Sequence, residues 1–400
     1  MRIAVLTRYI HDAGGVEAYL RRVLPSLRQR GHDLTVWHEF AVPDGRNRDF
    51  DRSVPCRMME DVERSAREIF EWQPDVLFLN GLSEPSTEMR LAERAPTVTF
   101  LHGYHGTCVS GGKTWMFPDP TPCSRRLGPA CLLHYYPRRC GGLNPAVMLD
   151  AYRQQRLRQR LLHRSAFVTT FSEHMRREAI ANGVEAQRAV HLPAFDSTDA
   201  AAIPEPSARP GASLRRWHVG FIGRMERPKG ALLFVDALAQ LDVTLRGRLR
   251  VTFAGDGRER PALEQSASRM ADVEIEFPGW IDARERARLF ASLDLLVVPS
   301  IWPEPLGLVG IEAAAAGVPA VAFDVGGIGD WLEDGVTGRL LPGLPPSSAA
   351  LASAIADALG DPERLRQWGS QARARARQLT LEAHMCALED VFRRAAAVAR

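Results

Sequence analysis

Two carboxylates stand eight positions apart in the run PSIWPEPLGLVGIEAAAAGVP, Pro299–Pro319. Pro303 and Pro305 disfavour helix around Glu304, which places that acid on a loop. From Gly307 to Ala316 the chain has no proline and ends in alanines, so a helix is expected to begin near Gly307 and carry Glu312 about one turn in. The first turn of such a helix exposes free N–H groups and the positive end of its dipole, which suits a diphosphate. A loop carboxylate can grip sugar hydroxyls, and a helical carboxylate one turn on can take a ribose. Taken alone, the run fits equally a surface helix with two solvated acids.

Cations at a comparable place weigh on that choice. Phe221–Gly230 reads FIGRMERPKG, a strand running into Gly223 and Arg224, with Lys229 five residues later. Arg offers a forked pair of donors and Lys a point charge, and both suit a diphosphate whose charge grows as it leaves. Two surface cations are the ordinary alternative. Gly14 and Gly15 stand where the first strand turns into the first helix, a place where backbone N–H groups can approach an anion; a tight turn explains them equally well. Phe253–Gly257, FAGDG, reads as a rim turn in which Asp256 shapes the backbone. In Phe277–Asp282, FPGWID, Gly279 could bring backbone against a nucleobase, or the segment is a simple loop with a packed Trp280. Gly326-Gly327-Ile328-Gly329-Asp330 is a further glycine turn. His102 closes the strand Thr97–His102; a lone histidine is usually structural, but the end of a strand is where functional polar groups gather.

These residues need elements to hold them. Strands are expected at Arg2–Thr7, Leu34–His38, Asp75–Leu79, Thr97–His102 and Phe167–Thr170. Helices near 16–30, 62–72, 150–163 and 174–182 alternate with them. An Ala/Pro/Ser-rich stretch, 196–215, reads as a linker. The alternation then restarts with strands at His218–Ile222, Arg250–Ala254, Val273–Phe277, Asp294–Pro299 and Ala320–Phe323, and a helical region closes the chain from about Pro362. Such alternation implies α/β domains with parallel, doubly wound sheets. The expected plan is two Rossmann-like domains, 1–195 and 216–378, facing each other across a cleft, with residues 379–400 forming a helix that crosses back to the first. Ligands of such sheets bind beyond the carboxyl ends of the strands.

In this order the motifs resemble the retaining glycosyltransferases of family 4, the group 1 or glycogen-synthase-like enzymes with the glycosyltransferase-B fold. The resemblance rests on Gly14-Gly15, Gly223-Arg224 with Lys229-Gly230, Gly255-Asp256-Gly257, Glu304 with Glu312, and Gly326-Gly327. It covers most of the chain and is strongest from Val219 to Pro342. It implies that Arg224 and Lys229 hold a donor diphosphate, that Glu304 contacts the transferred sugar, and that Glu312 contacts the ribose. It further implies a backbone contact from Gly15, beside Gly14, nucleotide contacts from Leu308 and Trp280, and a His102 that faces the donor sugar. Two departures stand out: Leu306 follows the Glu-Pro pair where the family has Phe, and the last glycine turn continues as Ile-Gly-Asp. The implied donor is a UDP-, GDP- or ADP-sugar, and the acceptor a glycan or lipid-linked molecule in surface polysaccharide or glycoconjugate synthesis. Without an Asp-x-Asp clamp, the cations and the helix start are expected to do the electrostatic work with no catalytic metal. With no carboxylate evidently placed as nucleophile, front-face displacement with retention is the expected mechanism.

Residues 103–146 break the alternation and read as an inserted loop without helix or strand. They hold Cys108, Cys123, Cys131 and Cys140, with His105 and His134 nearby. No close Cys pair typical of structural zinc is present, and a loop this long needs a staple. A structural zinc or iron–sulfur site, packed free thiols and disulfides all remain open. Arg153, Arg156, Arg160 and Arg164 recur at helical spacing, which suits either a solvated face or peripheral contact with anionic lipid at the inner face of a membrane. With 51 basic against 48 acidic residues and a net charge of +3, the chain is too balanced for nucleic acid to be its main partner. The start of the chain lacks the features of a signal peptide, and a cytoplasmic protein is expected. Two further classes are kept: a sugar-nucleotide epimerase of similar fold, and a metal-stapled interaction protein with an inactive cleft.

Overall fold

The computed structural model describes residues 1–11, 14–40, 54–195 and 216–398. The expected linker at 196–215, and Asp12 and Ala13 of the first glycine turn, lie outside these residues. The chain divides into two compact units: Met1–Phe117 with Cys123–Ser197 and Leu381–Arg400, and Pro118–Pro122 with Thr198–Thr380.

The first unit is built on β1 (Arg2–Thr7), β2 (Asp33–His38), β3 (Cys56–Met58), β4 (Val76–Leu79) and β5 (Thr97–Phe100). Two short strands in the insertion, β6 (Thr114–Trp115) and β7 (Thr121–Pro122), pair separately. They precede β8 (Phe167–Thr170) and β9 (Ala189–His191), which return to the main sheet. The order is β3-β2-β1-β4-β5-β8-β9, with every neighbouring pair parallel. β4 reads VLFL and is buried throughout, as expected of a strand covered by helices on both faces. The helix Leu381–Val398 belongs with this unit: its Met385, Leu388, Val391 and Phe392 share a core with Ile3, Leu20 and Phe78. Phe392 is fully buried, and truncating such a side chain to alanine costs about 3–5 kcal/mol.

The second unit holds β10 (Trp217–Ile222), β11 (Leu249–Ala254), β12 (Glu274–Gly279), β13 (Leu295–Val298), β14 (Ala320–Asp324) and β15 (Gly338–Pro342). Its order, β12-β11-β10-β13-β14-β15, is again all parallel. In each sheet the order reverses beside the first strand, between β1 and β4 and between β10 and β13. Such reversals open a crevice at the carboxyl ends, where ligands bind.

The structure corrects some expectations. The strand Thr97–His102 stops at Phe100, which leaves His102 two residues beyond it. The insertion is not free of regular structure, since it contains the β6–β7 pair and a helix, Ala130–Tyr135. Its apolar residues Val109, Leu127 and Tyr135 form a small core with Met148 of the following helix, Pro145–Arg164, against which Cys131 and Cys140 pack.

Candidate active site

The site in the second unit grows from the reversal between β10 and β13. The chain leaves β10 at Gly223-Arg224 and enters a short 3-10 turn, Arg227–Lys229, closed by Gly230. Gly230 lies at φ +70°, and a Cβ there would stand 1.9 Å from the carbonyl oxygen of Pro299. Only glycine lets the two segments touch. Ile301 N–H then donates to the Pro228 carbonyl at 2.9 Å, which ties the loop after β13 to the turn after β10.

This contact places Lys229 against Glu304, 75 residues away in sequence. Lys229 Nζ donates to Glu304 Oε1 at 2.6 Å, and Ser300 Oγ–H donates to the same oxygen at 2.6 Å. The Lys229 ammonium also lies 5.0 Å from the Trp302 ring centroid. From the other side Gly326-Gly327 cradles the Glu304 backbone, with Gly327 N–H donating to the Glu304 carbonyl at 2.7 Å. Glu304 is only 5% exposed, which excludes a solvated surface acid. A carboxylate buried without such partners would cost several kcal/mol, on the order expected for an unpaired polar group.

The helix expected near Gly307 spans Leu308–Ala315, with Gly307 as its N-cap at φ +85°. No side chain caps it, so its first N–H groups, Leu308 among them, are left for a ligand. Glu312 is also 5% exposed and pairs with Arg286 Nη2 at 3.3 Å. Arg286 rides on the helix Ala283–Ser292, whose start is fixed by a capping box between Asp282 and Glu285. Arg224 is exposed, and its guanidinium has no hydrogen-bond or ion-pair partner among the described residues. Asp256 acts as a turn residue, its carboxylate accepting from Gly257 N–H at 2.7 Å. Trp280 follows β12 and is 75% exposed, so it is not the packed loop residue of the simpler alternative. Leu306 is buried, and its carbonyl accepts from Trp331 Nε1–H at 2.7 Å.

The remaining expected residues belong to the first unit. Gly14 is the N-cap of the helix Gly15–Gln29 and is extended, at φ 170°. His102 stacks on Phe100 with centroids 4.2 Å apart and meets the edge of Tyr19, on that helix, at 5.5 Å. His102 Nε2 pairs with Asn80 Oδ1 at 3.0 Å. Burial, aided by His105, pushes its imidazole down to about 3, so it stays neutral at physiological pH. Beside it lies a charged network that sequence reading missed. Arg158 Nη1 donates to Glu88 Oε2 at 3.1 Å and Nη2 donates to the carbonyls of Leu82 and Ser83. Arg8 donates to the Leu82 carbonyl, and Glu39 accepts from Ser83 N–H at 2.7 Å.

Cys108, Cys123, Cys131 and Cys140 line one cavity of about 20 Å³, together with His134. All are free thiols. Among the described residues, no three His, Cys, Asp or Glu side chains are grouped so as to hold a metal ion. Of the three alternatives left open for these cysteines, the arrangement fits free thiols packed on an apolar cluster. Burial pushes the Cys140 thiol up to about 11, with its three neighbouring thiols adding to the shift. Among the described residues no helix is long and apolar enough to cross a membrane.

Partners missed above share one property: Ser300 and Arg286 meet Glu304 and Glu312, and Trp302 meets Lys229, only through folding. Ser300 did carry a signal, standing just past the apolar strand β13 and four residues before Glu304.

Two family models divide the chain between them. "Glycosyltransferase Family 4" matches residues 13–195 and "Glycosyl transferases group 1" matches residues 204–375. A D-inositol 3-phosphate glycosyltransferase of Nocardia farcinica is 37% identical over 184 residues, 44% of this chain and 39% of that protein. A glycogen synthase of Mycobacterium tuberculosis is 34% identical over 178 residues, 44% of this chain and 42% of that protein. The chain thus spans about two fifths of the length of these relatives. Among solved structures, Anabaena Alr3699/HepE in complex with UDP and glucose is similar with a TM-score of 0.68 at 21% identity, covering 98% of this chain and 99% of that one. Sucrose-phosphate synthase of Thermosynechococcus elongatus gives 0.73 at 20% identity, covering 99% of both chains. At these identities the structures speak for the fold, two Rossmann-like α/β units of the glycosyltransferase-B type. With both halves matched and the fold shared along the whole chain, the protein belongs to the group 1 glycosyltransferases.

Proposed function

We propose that the chain transfers a hexose-type sugar from a nucleotide-sugar donor to a glycan or lipid-linked acceptor, with retention at the anomeric carbon. The observation that carries this reading is the Lys229–Glu304–Ser300 cluster at the β10/β13 reversal, with an uncapped helix start following Glu304 on the same segment and an unpaired Arg224 guanidinium on the turn after β10. Lys229 has three N–H donors, so it can hold Glu304 and still face a phosphate. Arg224 keeps all its donors for the diphosphate. The helix start at Leu308 adds its dipole, and Glu312 takes the ribose hydroxyls. Trp280 and the Gly279 backbone offer a place for the base, and the family resemblance adds Gly14 and Gly15 near the phosphate.

In this mechanism the bond between the anomeric carbon and the diphosphate oxygen breaks on the face where the acceptor oxygen bonds. The acceptor proton passes to the leaving phosphate oxygen. Lys229 and Arg224 stabilise the charge that develops there, a task cations do well in a water-poor site. Glu304 orients the sugar, and the family resemblance adds His102, a neutral hydrogen-bonding group, on the side of the first unit. The Anabaena protein was crystallised in complex with UDP and glucose, which makes UDP-glucose the first donor to screen, followed by GDP- and ADP-sugars. The test is a thermal-shift screen of these donors, then NMR of the product formed with excess EDTA. Retention and undiminished rate under chelation are expected. An inverted anomer would sink the front-face mechanism, and no shift with any sugar nucleotide would sink the donor site.

A further inference from the structure

A cavity lies in the first unit at the amino-terminal end of its sheet. Thr97 and Phe167, the first residues of β5 and β8, border this cavity of about 570 Å³. That volume falls in the range of small-molecule pockets. Reaction sites in such sheets sit at the carboxyl ends, and this cavity is at the amino ends. None of its lining residues belongs to the second unit.

Four arginines, Arg94, Arg164, Arg188 and Arg394, line it against one acid, Glu93. Neutral contacts position each of them. Arg164 Nε donates to the Ala92 carbonyl at 3.2 Å, and Arg188 Nη1 donates to the Ser165 carbonyl at 3.4 Å. Arg94 lies 3.9 Å over the Phe70 ring, and Arg394 lies 4.5 Å over Phe167. Arg188 also pairs with Glu185, and Arg394 with Asp390 at 3.6 Å. Arg94 and Arg164 have no carboxylate partner among the described residues, and Arg188 Nε is buried with no acceptor. Arg94 and Arg164, held in place while their charge goes uncancelled, together with the open Nε of Arg188, are arranged for a tetrahedral oxyanion, which guanidiniums bind through paired donors. The Phe167 floor adds an apolar surface beside the charge.

We propose that this cavity is a second binding site, separate from the donor motifs, for a phosphate-bearing anion: a free phosphorylated metabolite or a lipid phosphate headgroup. The experiment is calorimetric titration of the full chain with inorganic pyrophosphate, alongside co-sedimentation with phosphatidylglycerol and phosphatidylcholine vesicles. Three variants separate the sites: Arg164→Gln with Arg188→Gln, Arg94→Gln with Arg394→Gln, and Arg224→Gln with Lys229→Gln. The second pair is exposed, so it leaves folding intact if the first does not. Binding of pyrophosphate, or of phosphatidylglycerol vesicles alone, is expected to weaken about tenfold or more in the first two variants and to persist in the third. Pyrophosphate binding without vesicle binding identifies a free phosphorylated ligand, and vesicle binding identifies the headgroup. No binding of either probe, or binding lost only in the Arg224/Lys229 variant, overturns the proposal.

Discussion

The two sheets run their leading strands in the same order, yet they use the charges beyond their strand ends in opposite ways. In the first unit Arg158, Arg8, Glu88 and Glu39 are spent on one another and on the backbone of residues 82–83. Burial pushes the Glu88 carboxyl up against the pull of Arg158, a sign that this network is enclosed rather than offered to a ligand. The histidine beside it is held neutral. In the second unit the charges stay available: the Arg224 guanidinium is unpartnered and exposed, and Lys229 holds one carboxylate oxygen with donors to spare. The lesson is that a shared fold positions loops without deciding their chemistry.

The sharpest way to break this comparison is to remove charges from the second unit. Lys229→Ala and Glu304→Ala should each lower kcat/KM by ~10²-fold or more, whereas His102→Ala, at a neutral group, should cost only about tenfold. Steady-state kinetics with the donor found by screening decides it. Equal losses at all three positions would mean that both units share the electrostatic work.

Gly326→Ala tests whether the cradle behind Glu304 matters. Its Cβ would fall 2.2 Å from the Glu304 carbonyl oxygen, at a φ of +68°. We expect a loss of about 1–3 kcal/mol in denaturant unfolding, with a fall in turnover as Glu304 shifts. An unchanged rate would show that the cradle supports the fold without positioning the acid.

Acid should separate the units. Burial holds His384 down to about 4, His174 to about 4 and His102 to about 3, all in the first unit. Each takes up its proton near pH 6.5 when unfolded, so the unfolded state binds more protons between that pH and the folded value. Their contribution is fully present above pH 6.5 and is lost as pH falls towards 4. For fully buried His384 the loss is about 2 kcal/mol at pH 5. The second unit has a single histidine, His218, which burial and Arg250 also hold down, opposed by a hydrogen bond at Ser292 and by the nearby Asp294 and Glu276. Glu88, raised by burial to about 7, works the other way over the same range, but it is one group against several histidines, so hydrogen exchange at pH 7.5 and pH 5 should still show first-unit peptides losing more protection. Equal loss in both units would contradict the assignment.

The smallest expected effect is at Trp280. Because it is so exposed, Trp280→Ala should leave the melting temperature unchanged. If its ring stacks on the base, the donor KM rises roughly 2- to 10-fold. An unaltered KM would place the base elsewhere.

Strands with continuous apolar runs, such as VLFL at β4 and LLVV at β13, were legible before folding because parallel strands buried on both faces need such runs. β3, β9 and β15 were missed. Each lies at a sheet edge with one unpaired side, and their residues are only partly buried. The alternation of strands and helices, the glycine turns and the acids of the candidate site were likewise written in sequence, since local backbone geometry and helix starts depend on near neighbours. What touches those acids was not. Lys229 meets Glu304, and Arg286 meets Glu312, only because two parallel strands and a capped helix bring distant loops together. The four thiols show the same limit: their clustering along the chain suggested a staple, and the packing of the insertion decided how they stand. Local propensity is set by adjacent residues, whereas burial and pairing of charge depend on which distant segments share a place. That is why the elements belonged to the sequence and the site's electrostatics to the tertiary structure.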